Sequence, residues 1–203
     1  MTGGITGVRS DMPTPWRVLL ISGSLRDNST NTAVLRTAQA DAEPWIDATL
    51  YHGLGTLPHF NPDDDIEPVA PAVELLRSSI RAADALVFST PEYAGALPGS
   101  FKNLLDWTIG DDQPGSIYEK PVAWINTSPR GAEHAYQSLA LVLGYAKAVV
   151  VVPACVHVPV TATDIDEHGL IVDRDARGRV ARALAQLGEH LDATRRATNV
   201  PGS

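Results

Sequence analysis

The sequence contains a single cysteine, Cys155, and no long hydrophobic run. One cysteine excludes an intramolecular disulfide framework, and without a nearby Cys or His pair it disfavours a structural zinc site. We expect this thiol to be buried and unreactive. No apolar segment reaches the roughly 18 residues that a membrane span requires, and the N-terminal "MTGGITGVRSDMPTP" lacks the apolar core of a signal peptide. The sequence therefore predicts a cytoplasmic protein without a membrane partner.

Clustered positive charge is also missing. The formal net charge is −8 over 203 residues, which argues against nucleic-acid binding, because a phosphate backbone is held by groups of Lys and Arg. A phosphorylated small molecule would need local positive charge and backbone N–H donors to offset this acidic balance.

Several common catalytic motifs are absent as well. The sequence has neither GxxxxGK(S/T) nor GxGxxG, which disfavours a P-loop triphosphatase and a Rossmann dehydrogenase. It has no GxSxG, and no two of its six histidines stand four residues apart as metal ligands. Cys155 lacks an arginine at the spacing of a cysteine phosphatase. We predict no metal site.

Strand-like and helix-like segments alternate along the chain, which predicts an α/β fold with parallel strands joined by helical crossovers. The predicted strands are 17–22, 46–51, 84–90, 121–127 and 148–156. Helix faces are predicted at Val73, Leu76, Ile80 and Ala83, at Leu139, Val142, Leu143 and Ala146, and at Val180, Leu184, Leu187 and Leu191.

The chain shows no repeat or linker that would divide it. We predict one domain over 16–194, with flexible tails at 1–15 and 195–203 that cannot bury enough apolar surface to become ordered. The stretch 52–70 is predicted to be a long loop, whose acidic run "NPDDDIEP" lies on a solvated surface.

The loop after the first strand, "GSLRDNSTN" (23–31), has the composition of a phosphate site. Gly23 permits a tight turn, and Ser29 or Thr30 can cap the following helix, whose N-terminal N–H groups and dipole favour an anion. The hydroxyls of Ser24 and Ser29 and the side chain of Arg26 could add hydrogen bonds. An ordinary strand-to-helix turn with a hydroxyl cap would have the same composition, so this loop alone does not decide between the two.

The loop after the third strand begins the segment "TPEYAGALPGSFKNLLDW" (90–107). Pro91 and Pro98 stiffen it, and Tyr93 offers an aromatic face. We expect the backbone N–H groups of 92–95 to be available to a ligand. Taken alone, Tyr93 and Trp107 are typical packing residues.

Three segments together resemble a known family. "GSLRDNSTN" (23–31), "PEYAGALPGSFKNLLDW" (91–107) and "TSPRG" (127–131) stand in the order and after the strands found in the NADPH-dependent FMN reductases, the flavodoxin-like group that includes quinone, chromate and azo-dye reductases. The resemblance extends over most of 16–192. It implies a doubly wound sheet of about five parallel strands in the order 2-1-3-4-5, with helices on both faces.

The resemblance also implies an FMN site at the carboxyl ends of the strands. The implied cofactor-binding residues are Ser24, Arg26, Ser29, Thr30 and Asn31 around the phosphate, Pro91, Glu92, Tyr93, Ala94 and Gly95 along the ribityl chain and ring edge, and Ser128 and Gly131 on the third side. In the second group the contacts would be made mainly by backbone atoms. Many family members have Asn where this chain has Ala94, so any contact of that side chain is missing here, although alanine keeps the N–H.

The implied activity is electron transfer from NADPH or NADH through FMN to a small-molecule acceptor, with no acid–base residue demanded of the protein. Arg130 could meet a phosphate of the dinucleotide or could be an ordinary surface arginine. An electron-carrying flavodoxin and a non-flavin phosphate-binding protein remain as alternatives.

The family resemblance implies a homodimer or a dimer of dimers. The segment "FKNLLDWTIG" (101–110) supports a partner surface if the domain's own core does not cover its apolar residues, which are Phe101, Leu104, Leu105 and Trp107.

Overall fold

A parallel sheet forms the centre of the protein, of which the computed structural model describes residues 14–198. Its main strands are β1 (Trp16–Ser22), β2 (Ile46–Tyr51), β3 (Ala85–Ser89), β4 (Pro121–Asn126) and β5 (Val149–Val150). They pair in the order β2-β1-β3-β4-β5. This confirms the predicted order 2-1-3-4-5. A further short strand, β6 (Val156–His157), pairs in parallel with the last two residues of β4, Ile125 and Asn126, whereas β5 pairs with the first two.

Helices cover both faces of the sheet, as predicted. They are α1 (Thr30–Ala40), α2 (Pro71–Ala82), α3 (Gly99–Ile109), α4 (Glu133–Tyr145) and α5 (Arg174–Thr198). Side chains alternate along β1, so that Leu19 and Ile21 pack with α2, α3 and α4, whereas Val18 and Leu20 pack with α1 and α5. Within residues 14–198, no helix combines the length and the apolar character needed to cross a bilayer.

The predicted last strand, 148–156, is wrong over its middle part. The chain leaves the sheet after β5 and makes a single 3-10 turn at Val152–Ala154 before β6 begins. Pro153 lies in this turn and has no N–H to donate to a neighbouring strand. The apolar run therefore resembles one buried strand in sequence but forms two short ones.

The C-terminal helix has the predicted buried face, formed by Val180, Leu184, Leu187 and Leu191. It continues to Thr198, past residue 194, where we expected the C-terminal tail to begin. The rest of that tail, 199–203, and residues 1–13 of the N-terminal tail lie outside the described residues.

The apolar residues of α3 are covered by the domain itself. Phe101, Leu104 and Leu105 are fully buried, and Trp107 is 1 % exposed. All four belong to the core between the sheet and α2, α3 and α4. They therefore give no support to a partner surface on this helix.

One residue of the acidic run departs from the prediction of a solvated surface. Asp63 and Asp64 are exposed, whereas Asp65 is partly buried and its Oδ1 lies 2.7 Å from Nη2 of Arg77. Arg77 is a buried residue of α2, and its Nε also donates to the carbonyl oxygen of Trp107. The ion pair fastens the loop to the core, since a buried charge requires a partner.

Candidate functional site: the loops at the carboxyl edge of the sheet

A cavity of about 650 Å³ opens at the carboxyl ends of β1, β3 and β4. This is the edge at which doubly wound sheets bind their ligands. Nine of the twelve predicted cofactor-binding residues line it: Ser24, Arg26, Ser29, Thr30, Asn31, Pro91, Glu92, Tyr93 and Ser128. The other three, Ala94, Gly95 and Gly131, belong to the same loops but are not among the lining residues.

Gly23 brings the first loop close to its neighbour. Its N–H donates to the carbonyl oxygen of Ser89 over 2.8 Å, and a Cβ at this position would lie 2.5 Å from Oγ1 of Thr90 and 2.9 Å from the ring of Phe101. The sequence suggested a tight turn as the reason for this glycine. The structure shows instead that the side chains of Thr90 and Phe101 fill the space that a Cβ would need.

The N-terminus of α1 faces the cavity. Ser29 caps it, because the Ser29 side chain accepts a hydrogen bond from the N–H of Asn31 over 3.2 Å; Thr30, the other predicted cap, is the first helical residue. The hydroxyl proton of Ser29 remains available to a ligand oxygen. The first turn of α1 carries no acidic residue, so no side chain of that turn offsets the positive end of the helix dipole.

Asn31 has a role that the sequence did not reveal. Its side chain is buried, and its Oδ1 accepts hydrogen bonds from the hydroxyls of Ser89 (3.0 Å) and Thr127 (3.2 Å). The Thr127 hydroxyl also lies 3.2 Å from that of Thr30. The start of α1 is thereby joined to the ends of β3 and β4, so the three loops have fixed relative positions.

The second loop contains a tight two-residue turn. Tyr93 and Ala96 exchange two backbone hydrogen bonds of 3.1 Å around Ala94 and Gly95, whose φ angles are 51° and 73°. Positive φ at both central residues is typical of a type I′ turn, which favours Asn-Gly. The expectation that all N–H groups of 92–95 are available is wrong for Tyr93, because its N–H is used inside the turn.

Replacing Ala94 with asparagine should stabilise the protein by about 1 kcal/mol, because alanine is strained in the left-handed region and asparagine tolerates it. Urea denaturation would measure the change. Ala193→Asn, at an exposed position of α5, is the matched control and should destabilise slightly, since asparagine has the lower helix propensity. Equal effects of the two substitutions would contradict the strain at Ala94.

The side chain of Glu92 connects the second loop to α4. Its Oε2 accepts a hydrogen bond from the N–H of Ala135 over 3.0 Å, and its Oε1 lies 3.8 Å from Nδ1 of His134. The N-cap residue of α4, Ala132, has a φ of 47° and no capping side chain. Glu92 therefore supplies the cap from 43 positions earlier in the chain. The family resemblance suggested contacts mainly through the backbone at this position.

Glu92→Ala should lower the free energy of unfolding by about 0.5–2 kcal/mol, the usual cost of a lost helix cap. Glu92→Gln should lose less, because the amide oxygen can still accept from Ala135. Thermal denaturation of the three proteins tests this order. A glutamine variant as unstable as the alanine variant would show that the hydrogen bond to α4 does not stabilise the fold.

The third loop is a turn held from inside by Asn126. Its Oδ1 accepts from the N–H of Ser128 over 2.9 Å, and its Nδ2 donates to the carbonyl oxygen of Gly131 over 2.5 Å. Gly131, with a φ of 91°, donates its own N–H to the carbonyl oxygen of Ser128. Ser128 reaches the cavity, whereas Gly131 sets the path of the turn.

The sequence did not identify all residues that line the cavity. The missed ones are Asn28, Thr127, Pro129, Ala132, Glu133, His134 and Ala162, and Arg130 was named only as a possible phosphate contact. Thr127 could have been found as a polar residue at the end of a predicted strand. Ala162 carries no such signal, because it arrives from the loop after β6.

Tyr136, which contacts the end of β3, and Cys155 stay protonated at neutral pH. Burial raises the pKa of the Tyr136 phenol well above its ordinary value, and this hydroxyl lies 3.1 Å from the carbonyl oxygen of Ile125 and 3.3 Å from the N–H of Thr90. Burial also raises the pKa of the Cys155 thiol to about 11. This thiol is half-buried rather than fully buried, and at this pKa it carries little thiolate.

The lining of the cavity has the chemistry that FMN requires. Ser24, the exposed Arg26, Ser29 and the first residue of α1 all line it from one loop, and hydroxyls, a guanidinium and a helix N-terminus are groups that bind phosphate. Tyr93, 51 % exposed, supplies an aromatic surface on the next loop. Arg26 makes no ion pair with any carboxylate of residues 14–198.

The chain is similar to several known proteins. It is 37% identical over 122 residues to a probable NADPH:quinone oxidoreductase 2 of Oryza sativa subsp. japonica, covering 59% of each sequence. It is 42% identical over 113 residues to an NAD(P)H-dependent FMN reductase of Pseudomonas aeruginosa, covering 55% of this chain and 60% of that protein. These alignments thus span about three fifths of the length of the two relatives.

A solved structure extends the likeness to nearly the whole fold. The flavoenzyme NAD(P)H:(acceptor) oxidoreductase of Paracoccus denitrificans is 28% identical, with a TM-score of 0.69 over 86% of this chain and 98% of that one. The family model described as NADPH-dependent FMN reductase matches residues 16–163, which include all three loops of the cavity. The chain belongs to the NADPH-dependent FMN reductase family.

Proposed function

We propose that this protein is an FMN-dependent oxidoreductase that takes two electrons from NADPH or NADH and passes them to a quinone, a similar small acceptor or free flavin. The observation that carries the proposal is that the three family loops, with Arg26 and the start of α1 among them, line one cavity. When bound, FMN supplies the hydride-accepting ring. The related quinone oxidoreductase and FMN reductase support the same chemistry.

In this proposal each loop has a separate task. Ser24, Arg26, Ser29 and the N-terminus of α1 bind the phosphate, with Thr30 and Asn31 fixing that helix against the strands. Pro91, Glu92 and Tyr93 lie along the ribityl chain and ring edge, and the turn at Ala94 and Gly95 sets their position. Ser128 and the turn at Gly131 close the third side. We assign no acid–base residue in the protein.

An FMN that is held by its phosphate and by the edges of its isoalloxazine ring keeps one face of that ring open. Donor and acceptor would then bind there in turn, which predicts ping-pong kinetics and selection of acceptors by flatness. Initial rates with both substrates varied should give parallel double-reciprocal lines. Intersecting lines would require both substrates to bind together and would reject the alternating scheme.

The visible spectrum separates the proposal from the two alternatives. The FMN-loaded protein should lose its flavin absorbance when NADPH or NADH is added without oxygen. If the flavin remains oxidised, the protein is an electron carrier that needs a separate reductase. If the purified protein is colourless and retains no flavin after incubation with FMN and removal of the excess, it binds another phosphate compound.

We further propose that a second copy of this chain is the protein's partner. The exposed face of α4 supports this, because Leu141 and Tyr145 are each 77% exposed, and Ala140 and Gly144 beside them are small. Light scattering should give at least twice 21.7 kDa. Leu141→Lys should shift the mass to the monomer value, and a monomeric wild type would reject the assembly.

We also propose that the protein acts in the cytoplasm. Its single cysteine is unpaired, which suits a reducing compartment, and nicotinamide donors are soluble metabolites. Detection of the full-length protein in the cytosolic fraction of its source cells would test this.

A further inference from the structure

Arg130 places a second guanidinium on the cavity that forms no ion pair within residues 14–198. It belongs to the loop after β4, whereas Arg26 belongs to the loop after β1, and β3 lies between these two strands. Since neighbouring strands are about 4.8 Å apart, the two loops begin about 10 Å from each other. This spacing leaves room for two separate anionic groups.

The backbone around Arg130 is held while its side chain is not. Its N–H donates to Oγ of Ser128 over 3.2 Å, and the turn is closed from inside by Asn126 and Gly131. The guanidinium is exposed and makes no ion pair or side-chain hydrogen bond with residues 14–198. Within the described residues, Arg130 is thus held by its backbone alone.

The two carboxylates that line the same cavity, Glu92 and Glu133, form no ion pair with Arg130 within the described part of the chain. Glu92 accepts from the N–H of Ala135 instead, and Oε1 of Glu133 accepts from the Gln137 amide over 3.0 Å. The chain as a whole carries a net charge of −8, which repels a polyanionic substrate unless positive groups at the site offset it. Arg130 is such a group.

We propose that Arg130 binds a phosphate group of the nicotinamide dinucleotide, while Arg26 holds the phosphate of FMN. The inference rests on the proposed oxidation of NADPH or NADH. A guanidinium suits this task because it binds phosphate oxygens through two parallel hydrogen bonds. The phosphate is either the pyrophosphate common to both donors or the 2′-phosphate that only NADPH carries.

Arg130→Ala in the FMN-loaded enzyme tests this with three hydride donors: NADPH, NADH and the phosphate-free 1-benzyl-1,4-dihydronicotinamide. We expect KM to rise roughly 10- to 100-fold for a dinucleotide, as for a lost hydrogen bond to a charged group, and the KM for the phosphate-free donor to stay the same. A rise for NADPH alone identifies the 2′-phosphate. An equal rise for NADPH and NADH identifies the pyrophosphate.

Arg182→Ala is the matched control, because it removes the same charge from an exposed position on α5. It should leave all three donors unaffected. The assignment is overturned if Arg130→Ala changes no KM, if it raises the KM of the phosphate-free donor equally, or if its main effect is weaker FMN binding. A wild-type enzyme that oxidises none of the three donors would instead reject the proposed function itself.

Discussion

Arg26→Ala should weaken FMN binding by about 1.5–3 kcal/mol, roughly 10- to 150-fold, and should change riboflavin binding little. Arg26 lies on the cavity beside the N-terminus of α1 and has no carboxylate partner among the described residues. Its contribution to a ligand is then a charge-assisted hydrogen bond, which riboflavin cannot accept because it lacks the phosphate.

Fluorescence titration of the apoprotein with both ligands measures this difference. Arg26→Lys, which keeps the charge but not the bidentate geometry, should fall between wild type and the alanine variant. Arg196→Ala, an exposed arginine on α5, controls for the change in net charge. If Arg26→Ala weakens both flavins to the same extent, Arg26 does not bind the phosphate.

Arg77→Ala should lower the free energy of unfolding by about 3–5 kcal/mol, because it leaves the carboxylate of Asp65 without its partner. The side chains of Arg77 and Asp65 are only 5% and 13% exposed, and their charged atoms are 2.7 Å apart. The substitution also removes the hydrogen bond to the carbonyl oxygen of Trp107. FMN affinity should change little, since neither residue lines the cavity.

Chemical denaturation compares this variant with Arg17→Ala, the matched control. Arg17 pairs with Asp84 at 2.9 Å but is 56% exposed, so its loss should cost at most about 1 kcal/mol. The double variant Arg77→Met with Asp65→Asn should recover part of the stability, because no buried charge is left unpaired. If Arg77→Ala is no less stable than Arg17→Ala, the ion pair between Arg77 and Asp65 does not stabilise the fold as expected.

Local patterns in the sequence were sufficient to predict most helices and strands. The order of the strands in the sheet came from the family resemblance. The apolar period of α5 and the double-sided burial of β1 can be read directly, because neighbours along the chain decide them. The three loops could be assigned to one edge because parallel strands end on the same side. The apolar run 148–156 is the exception, because its hydrophobic pattern predicts one strand and does not reveal that Pro153, which has no N–H, interrupts it.

Only the tertiary structure decided which side chains serve the ligand and which hold the loops together. Glu92 caps α4 from 43 positions away, and Asn31 meets Thr127 from 96 positions away. The ion pair with Arg77 keeps the carboxylate of Asp65 largely buried. Such pairs depend on how strands and helices pack, and each polar group takes whichever buried partner that packing offers. A motif therefore predicted the loops of this site, but the tasks of Glu92 and Asn31 followed from contacts that no local pattern encodes.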